Sequence, residues 1–365
     1  MLDEQAEIGG GIGQSGLLRG GAGGYNLSME PCGAVDGKEK STGVPGRRLA
    51  LALLLPVAAW EIPWIALRSW MPAWVAAASA AAFAALLVRL AFRRRDRFPA
   101  GAAALVGAAL LGVLLEPVPA AGPWIPAHAR MPRIALEGDR VRIEDLRDFR
   151  WRSETDHDAA WRTEEYDLGA LDRCWLGVVP LGEDGLIAHT LLLFSFRDGK
   201  ALALSVEARR RPGQTYGPVR GILRTYPLLY VLGDPRDVLG LRARAWGDRI
   251  DLLPVRPDRE RMRTVLRDAL LRAGDLAEGG AFYNSLVDNC TTTLARHASR
   301  SVDLGWSLRR ILNGKVGEYA HANGLLDTDL PWEAVKDRFR SDGRIRTADE
   351  GDLAAWMRAA TSGGL

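Results

Sequence analysis

The chain has 365 residues, 48 basic against 45 acidic side chains, 47 % hydrophobic and 25 % charged. That balance excludes a wholly disordered protein and requires a packed core. A net charge of +3 selects no partner, and no Arg or Lys run is interleaved with aromatic residues as a stacking platform requires, so nucleic acid is not an expected partner.

Residues 1–46 contain repeated Gly-Gly pairs and no apolar periodicity, which predicts a disordered Gly-rich tail. Cys32 lies there without the upstream apolar run that lipoprotein-type acylation needs. Residues 47–116 form a candidate membrane anchor. Segment 49–67 is apolar except for Glu61, 71–92 except for Arg89, and 98–115 is uncharged; each approaches the roughly 20 residues that span a bilayer. A cleaved signal peptide ending near Ala59 accounts for the first segment but not for the other two. Arg47 and Arg48 precede the first segment, and Arg93, Arg94, Arg95 and Arg97 separate the second from the third. Positive loops stay cytoplasmic, so the third segment exits outward. This predicts a multi-pass protein of the inner (cytoplasmic) membrane whose C-terminal domain lies in the periplasm.

Residues 117–130 read as a Pro-rich linker carrying an interfacial Trp124, and 131–365 as one α+β domain. Leu186–Phe196 and Ala201–Ala208 alternate as strands joined through Asp198-Gly199, a strong hairpin signal. Val141–Ile143, Phe149–Arg152, Trp175–Leu181, Leu228–Leu232 and Ile250–Val255 are shorter strand candidates. Asp258–Leu276 and Thr291–Ala298 carry helical signals.

Cys290 follows Asp288 and Asn289, either a natural N-cap, so the thiol falls in the first turn of a helix. There the free N–H groups favour a thiolate and can hold an oxyanion; the alternative is a small buried hydrophobe. A nucleophilic thiol needs a base. His297 lies seven residues along the same helix, roughly 10 Å up its axis, and cannot touch Cys290. His189 opens a strand with Leu191, Leu193 and Ser195 on its own face and Thr190, Leu192, Phe194 and Phe196 on the other. It is either a rigidly mounted imidazole or a satisfied core histidine. On the next strand Leu202, Leu204, Val206 and Ala208 share one face, leaving Ser205, Glu207 and Arg209 on the other. Glu207 can fix the His189 tautomer, or else pair with Arg209 or Arg210 at the surface. Cys174, beside Trp175, reads as buried strand packing rather than a disulfide partner of Cys290. The three cysteines suit neither a disulfide framework nor a zinc site, and no cofactor or metal is expected.

The blocks Arg150–Asp156, His189–Phe196, Ser205–Arg209, and Phe282-Tyr283-Asn284 with Asn289-Cys290-Thr291-Thr292 resemble the Lnb N-terminal periplasmic domain family over roughly residues 124–300. That family is similar to the permuted NlpC and papain-like cysteine superfamily, in which His precedes Cys. The resemblance implies an antiparallel sheet carrying the His, packed against a helix with the nucleophile at its N terminus, here preceded by a small bundle of transmembrane helices. It implies lipoprotein N-acylation as the activity, with Cys290 as nucleophile and His189 as base. Glu207 is assigned as orienting carboxylate from strand facing, and Asn289, Ser205, Tyr283 and Arg209 complete the candidate binding set. In this chain the apolar segments come before the domain rather than after it, so the substrate need not be the family's.

The expected function is a membrane-anchored periplasmic acyltransferase or hydrolase working through a thioester. Its expected partners are membrane lipid and a lipoprotein or peptidoglycan substrate; the oligomeric state is left open. Leu191, Leu193 and Phe282 are candidates to line an acyl groove. The alternatives are a peptidoglycan peptide hydrolase and a non-catalytic membrane-tethered binding module.

Overall fold

A computed structural model of the chain describes residues 73–93, positions 104, 107, 111 and 115, and residues 116–182, 185–299 and 313–347. The Gly-rich tail and the first apolar segment lie outside the described residues, and the third segment is described at four positions. The second segment forms helix α1 (Ala73–Arg93). Among the described residues no helix is long and apolar enough to cross a membrane. The expected three-helix bundle is therefore not supported. α1 is built largely of alanine, whose single methyl adds little transfer energy, and it carries Arg89 near its end.

Ten strands follow among the described residues: β1 (Arg133–Glu137), β2 (Arg140–Arg147), β3 (Arg150–Trp151), β4 (His157–Asp158), β5 (Trp161–Asp167), β6 (Leu171–Leu181), β7 (Ile187–Phe196), β8 (Ala201–Ala208), β9 (Leu228–Gly233) and β10 (Asp251–Pro254). The helices after α1 are α2 (Pro218–Ile222), α3 (Pro235–Gly240), α4 (Arg259–Gly279), α5 (Cys290–Ser299), α6 (Val316–Ala322), α7 (Trp332–Arg338) and α8 (Asp342–Thr347). The main sheet runs β1-β2-β9-β8-β7-β6-β10, with β5 also on β2. Its pairings are antiparallel except for a parallel contact of β2 with β9 at Arg147 and Gly233.

The β7–β8 hairpin is the centre of this sheet. Its turn closes with Phe196 N–H donating to Lys200 O at 3.0 Å, and Gly199 takes φ +88, a conformation that favours glycine. Both faces of the hairpin are buried, because alternate residues point to opposite sides. Phe194, Phe196, Leu202, Leu204 and Val206 pack against Met262, Leu266, Ala269 and Leu270 of α4. Leu191, Leu193 and Ala203 pack with Leu229, Val231, Val238, Leu239 and Ile250. Asp258 caps α4 by accepting the Arg261 N–H at 3.1 Å, a residue before the helix begins. Ala320 and Val335, from α6 and α7, cover the β6–β10 end with Val178 and Leu253.

Candidate active site

Cys290 is the first residue of α5, and Asn289 is its cap. Asn289 Oδ1 accepts the Thr292 N–H at 2.8 Å, while Thr292 Oγ1 accepts the Asn289 N–H at 3.0 Å. Asn289 Nδ2 donates to Ser285 O at 2.9 Å. Both ends of the Asn289 amide are thus occupied. It holds the nucleophile helix in place and also lines the cavity in front of the thiol.

His189 comes to the thiol through a parting of two strands. The β7–β8 ladder stops at Leu191 and Ser205. Beyond that point β7 stays with β6 to Ile187 and Leu181, and β8 stays with β9 to Ala208 and Leu228. Extending the lost register sets His189 opposite Glu207, at the opening where the Cys290 thiol enters, 3.8 Å from Ala188 O. His189 and Cys290 hydrogen-bond through their side chains.

The far side of the imidazole is fully engaged. His189 Nε2 lies 2.8 Å from Ser205 Oγ and 3.1 Å from Glu207 Oε1, and Ser205 Oγ lies 2.7 Å from the same carboxylate oxygen. An ionised carboxylate only accepts, so the Ser205 hydroxyl donates to Glu207 and accepts from the His189 Nε2–H. The tautomer is fixed by this bond, and Nδ1 is the ring nitrogen left for the thiol. Glu207 pairs neither with Arg209 nor with Arg210. Its partner is Arg242, whose guanidinium reaches both carboxylate oxygens at 3.1 and 3.4 Å. Arg242 sits in a π-helical turn after α3 and stacks over Trp246 at 4.7 Å.

These neighbours set the protonation states. Burial pushes the Cys290 thiol up, but the His189 charge and hydrogen bonds from His189 and Thr190 bring it down to about 7. Burial and Arg242 push His189 down, while Glu207 and Cys290 push it up, to about 9. Burial also works against the Glu207 carboxylate, yet His189 and Arg242 hold it well below the ordinary range. Between about pH 7 and 9 the coupled pair therefore favours thiolate and imidazolium, which is a property of the pair and not of either residue. Burial raises Tyr283, so its hydroxyl keeps its proton.

The dyad opens into a cavity of about 310 Å³ whose walls include Leu181, Ile187, Val206, Pro218, Trp246 and Tyr283. Tyr283 is thus a wall residue, as its candidacy requires. Ser205 is 1 % exposed and acts between His189 and Glu207. Leu191, Leu193 and Phe282 do not line the cavity, because the two leucines point into the core between β9 and α3, and Phe282 is covered by Arg224 at 4.6 Å.

Arg209 is corrected as well. Its guanidinium donates to His128 O and Ala129 O, each at 3.0 Å, and stacks on Trp124 at 4.4 Å. It clamps the expected linker to the end of β8 instead of meeting a ligand. The Arg210 N–H donates to His128 Nδ1 at 3.0 Å, and burial, above all, lowers His128 to about 3. Sequence reasoning missed Arg242, Trp246 and His128, none of which stands in a local motif. Cys174 and Cys290 are both buried, and neither is in a disulfide.

Residues 157–319 match the family described as Lnb N-terminal periplasmic domain. The match encloses His189, Ser205, Glu207, Arg242, Tyr283 and Cys290. No curated protein and no solved structure gave a match.

Proposed function

We propose that this protein is a thiol-dependent acyltransferase at the periplasmic face of a membrane, a reading supported by the match of residues 157–319 to the Lnb N-terminal periplasmic domain family. The observation that carries the reading is the buried Cys290–His189–Glu207 chain, closed behind by Ser205 and Arg242 and opening in front onto a largely apolar cavity. The Cys290 thiolate attacks an ester carbonyl of a phospholipid, with α5 N-terminal N–H groups facing the developing oxyanion. The carbon–oxygen bond breaks, and the departing alkoxide takes the proton from His189. An amine then attacks the thioester, His189 accepts its proton, and the carbon–sulfur bond breaks to return the thiolate beside the imidazolium. Membrane attachment through the apolar segments 49–67 and 98–115 rests on their composition and on the family's location.

An acyl-enzyme must be kept from water until the amine arrives, and apolar cavity walls favour transfer over hydrolysis. The test uses the purified full chain in detergent, with phosphatidylethanolamine and a diacylated lipopeptide bearing a free amino terminus. The expected result is a lipopeptide heavier by one acyl group, with the transfer abolished by His189→Ala. Release of peptides from peptidoglycan, with the lipopeptide untouched, would establish the hydrolase instead. A folded protein active in neither assay, whose Cys290 takes no acyl probe, would establish a binding module.

A further inference from the structure

Five large aliphatic side chains stand exposed around the cavity over Cys290. Leu186 and Ile187 at the start of β7 are 49 % and 39 % exposed, Val219 on α2 is 62 % exposed, and Leu286 and Val287 are 43 % and 58 % exposed. Ile187 is itself a wall residue, and Val219 and Leu286 adjoin the wall residues Pro218 and Ser285. Single exposed aliphatics are ordinary on a protein surface, whereas three segments presenting them around one opening mark a site of contact.

Two of these segments are locked together. The Tyr216 hydroxyl meets Ser285 Oγ at 3.1 Å, and a Cβ at Gly221 would collide with that same oxygen, so glycine is what lets α2 lie on the loop. Asn284 Oδ1 accepts the Leu286 and Val287 N–H groups at 2.9 and 3.3 Å, and Asn284 pairs with Asp288 across the turn. Arg296 donates to Val287 O at 2.9 Å and neutralises Asp288 at 2.7 Å. Leu286 and Val287 therefore sit on a turn whose polar backbone is largely satisfied from within, the condition for entering a water-poor layer.

Charge and chain length identify the occupant. Arg210 is a wall residue, Arg211 follows it and Arg220 lies on α2, while among the described residues Glu154 is the one acidic wall residue besides the buried Glu207. Trp124, between Arg209 and Arg211 at 4.4 and 5.3 Å, comes nine residues after the apolar segment 98–115 ends. Nine residues reach about 30 Å at most, so an anchor there keeps the cavity near the bilayer. Five side chains fall short of the roughly 800 Å² that a protein interface takes from each partner. We propose that this rim docks on a phospholipid bilayer, with Val219, Leu286 and Val287 at the boundary of headgroups and acyl chains and the arginines on lipid phosphates. The proposal rests on the membrane attachment proposed above and not on the acyl chemistry.

The test uses the full chain reconstituted in vesicles of phosphatidylcholine and phosphatidylglycerol. A nitroxide is attached at Leu286→Cys or at Val219→Cys in a chain also carrying Cys32→Ser, Cys174→Ala and Cys290→Ser, with Asp198→Cys at the far hairpin turn as control. Relaxation by oxygen should exceed relaxation by a water-soluble nickel chelate at 286 and 219, with the reverse at 198. Aqueous behaviour at both rim positions overturns the docking, whatever the enzyme does. In the otherwise native chain, Leu286→Asp with Val287→Asp should slow Cys290 acylation by vesicle phospholipid about tenfold, equal to about 1.4 kcal/mol, and leave acylation by water-soluble p-nitrophenyl acetate unchanged. Equal loss with both donors places the effect in the site and overturns the docking. A wild-type chain that takes no acyl group from phospholipid counts against the acyltransferase, while the nitroxide measurement still decides the docking.

Discussion

Glu207→Gln removes one charge from the buried chain and changes almost no volume. In the wild type, burial and Arg242 oppose the imidazolium, Glu207 and Cys290 outweigh them, and His189 stands at about 9 against an ordinary 6.5. That difference is worth on the order of 3 kcal/mol. A carboxamide still accepts the Ser205 hydroxyl but carries no charge, and the Arg242 cation remains in place, so the imidazolium loses its main support. Without it the Cys290 thiol climbs from about 7 toward the ordinary 9.0. At pH 7 the thiolate fraction then falls from about one half to about one hundredth, and the greater intrinsic nucleophilicity of the less acidic thiol recovers part of this, leaving roughly a tenfold loss. The assay is the rate of Cys290 alkylation by iodoacetamide against pH, with circular dichroism to verify the fold. The midpoint should lie near 7 in the wild type and well above it in the variant. An unchanged midpoint in a folded variant would refute the role of Glu207.

Further outcomes follow from the neighbours of the dyad. His128 is held neutral down to about 3, whereas the unfolded imidazole takes its proton at 6.5; the unfolded chain binds the proton first, so stability falls as pH drops from about 6.5 to 3, by up to on the order of 4 kcal/mol. In His128→Asn, whose side-chain oxygen suits the Arg210 N–H, thermal melts should show a flatter acid limb, and an unchanged limb contradicts the assignment. Asn289→Ala should cost about 1 kcal/mol of stability through the lost cap and slow Cys290 alkylation; a variant with wild-type melting and alkylation contradicts the capping role. Arg209→Ala should free the clamped segment, seen as new proteolytic cuts between residues 120 and 132, without moving the alkylation midpoint.

The β7–β8 hairpin was legible because both strands alternate cleanly and Asp198-Gly199 marks the turn, and with it came the shared face of His189, Ser205 and Glu207. α5 was legible from Asn289 and the helix-forming run behind it. β1 and β5 were not, because charged residues such as Arg133, Glu137, Glu164 and Glu165 interrupt their apolar positions on solvated strands. α6, α7 and α8 are each seven residues or fewer, too short for periodicity to stand out, and packing on the sheet end is what holds them. Arg209 was placed on the right face yet misjudged, since its partners are carbonyls about 80 residues upstream. Arg242 lies in a run of alternating Arg and Ala that carries no motif, and only the tertiary fold brings it 3.1 Å from Glu207. Apolar length and flanking arginines together suggest a membrane bundle, while the helix the structure describes owes much of that length to alanine.

The most direct test of the acyl-enzyme is mass spectrometry of the intact full chain after incubation with p-nitrophenyl palmitate, followed by peptide mapping. The account expects one palmitoyl group, on the peptide containing Cys290, released by neutral hydroxylamine and absent from His189→Ala. A folded wild-type chain that gains no acyl group, or gains it on Cys174, or gains it at the same rate in His189→Ala, would contradict the assignment of Cys290 as a His189-activated nucleophile.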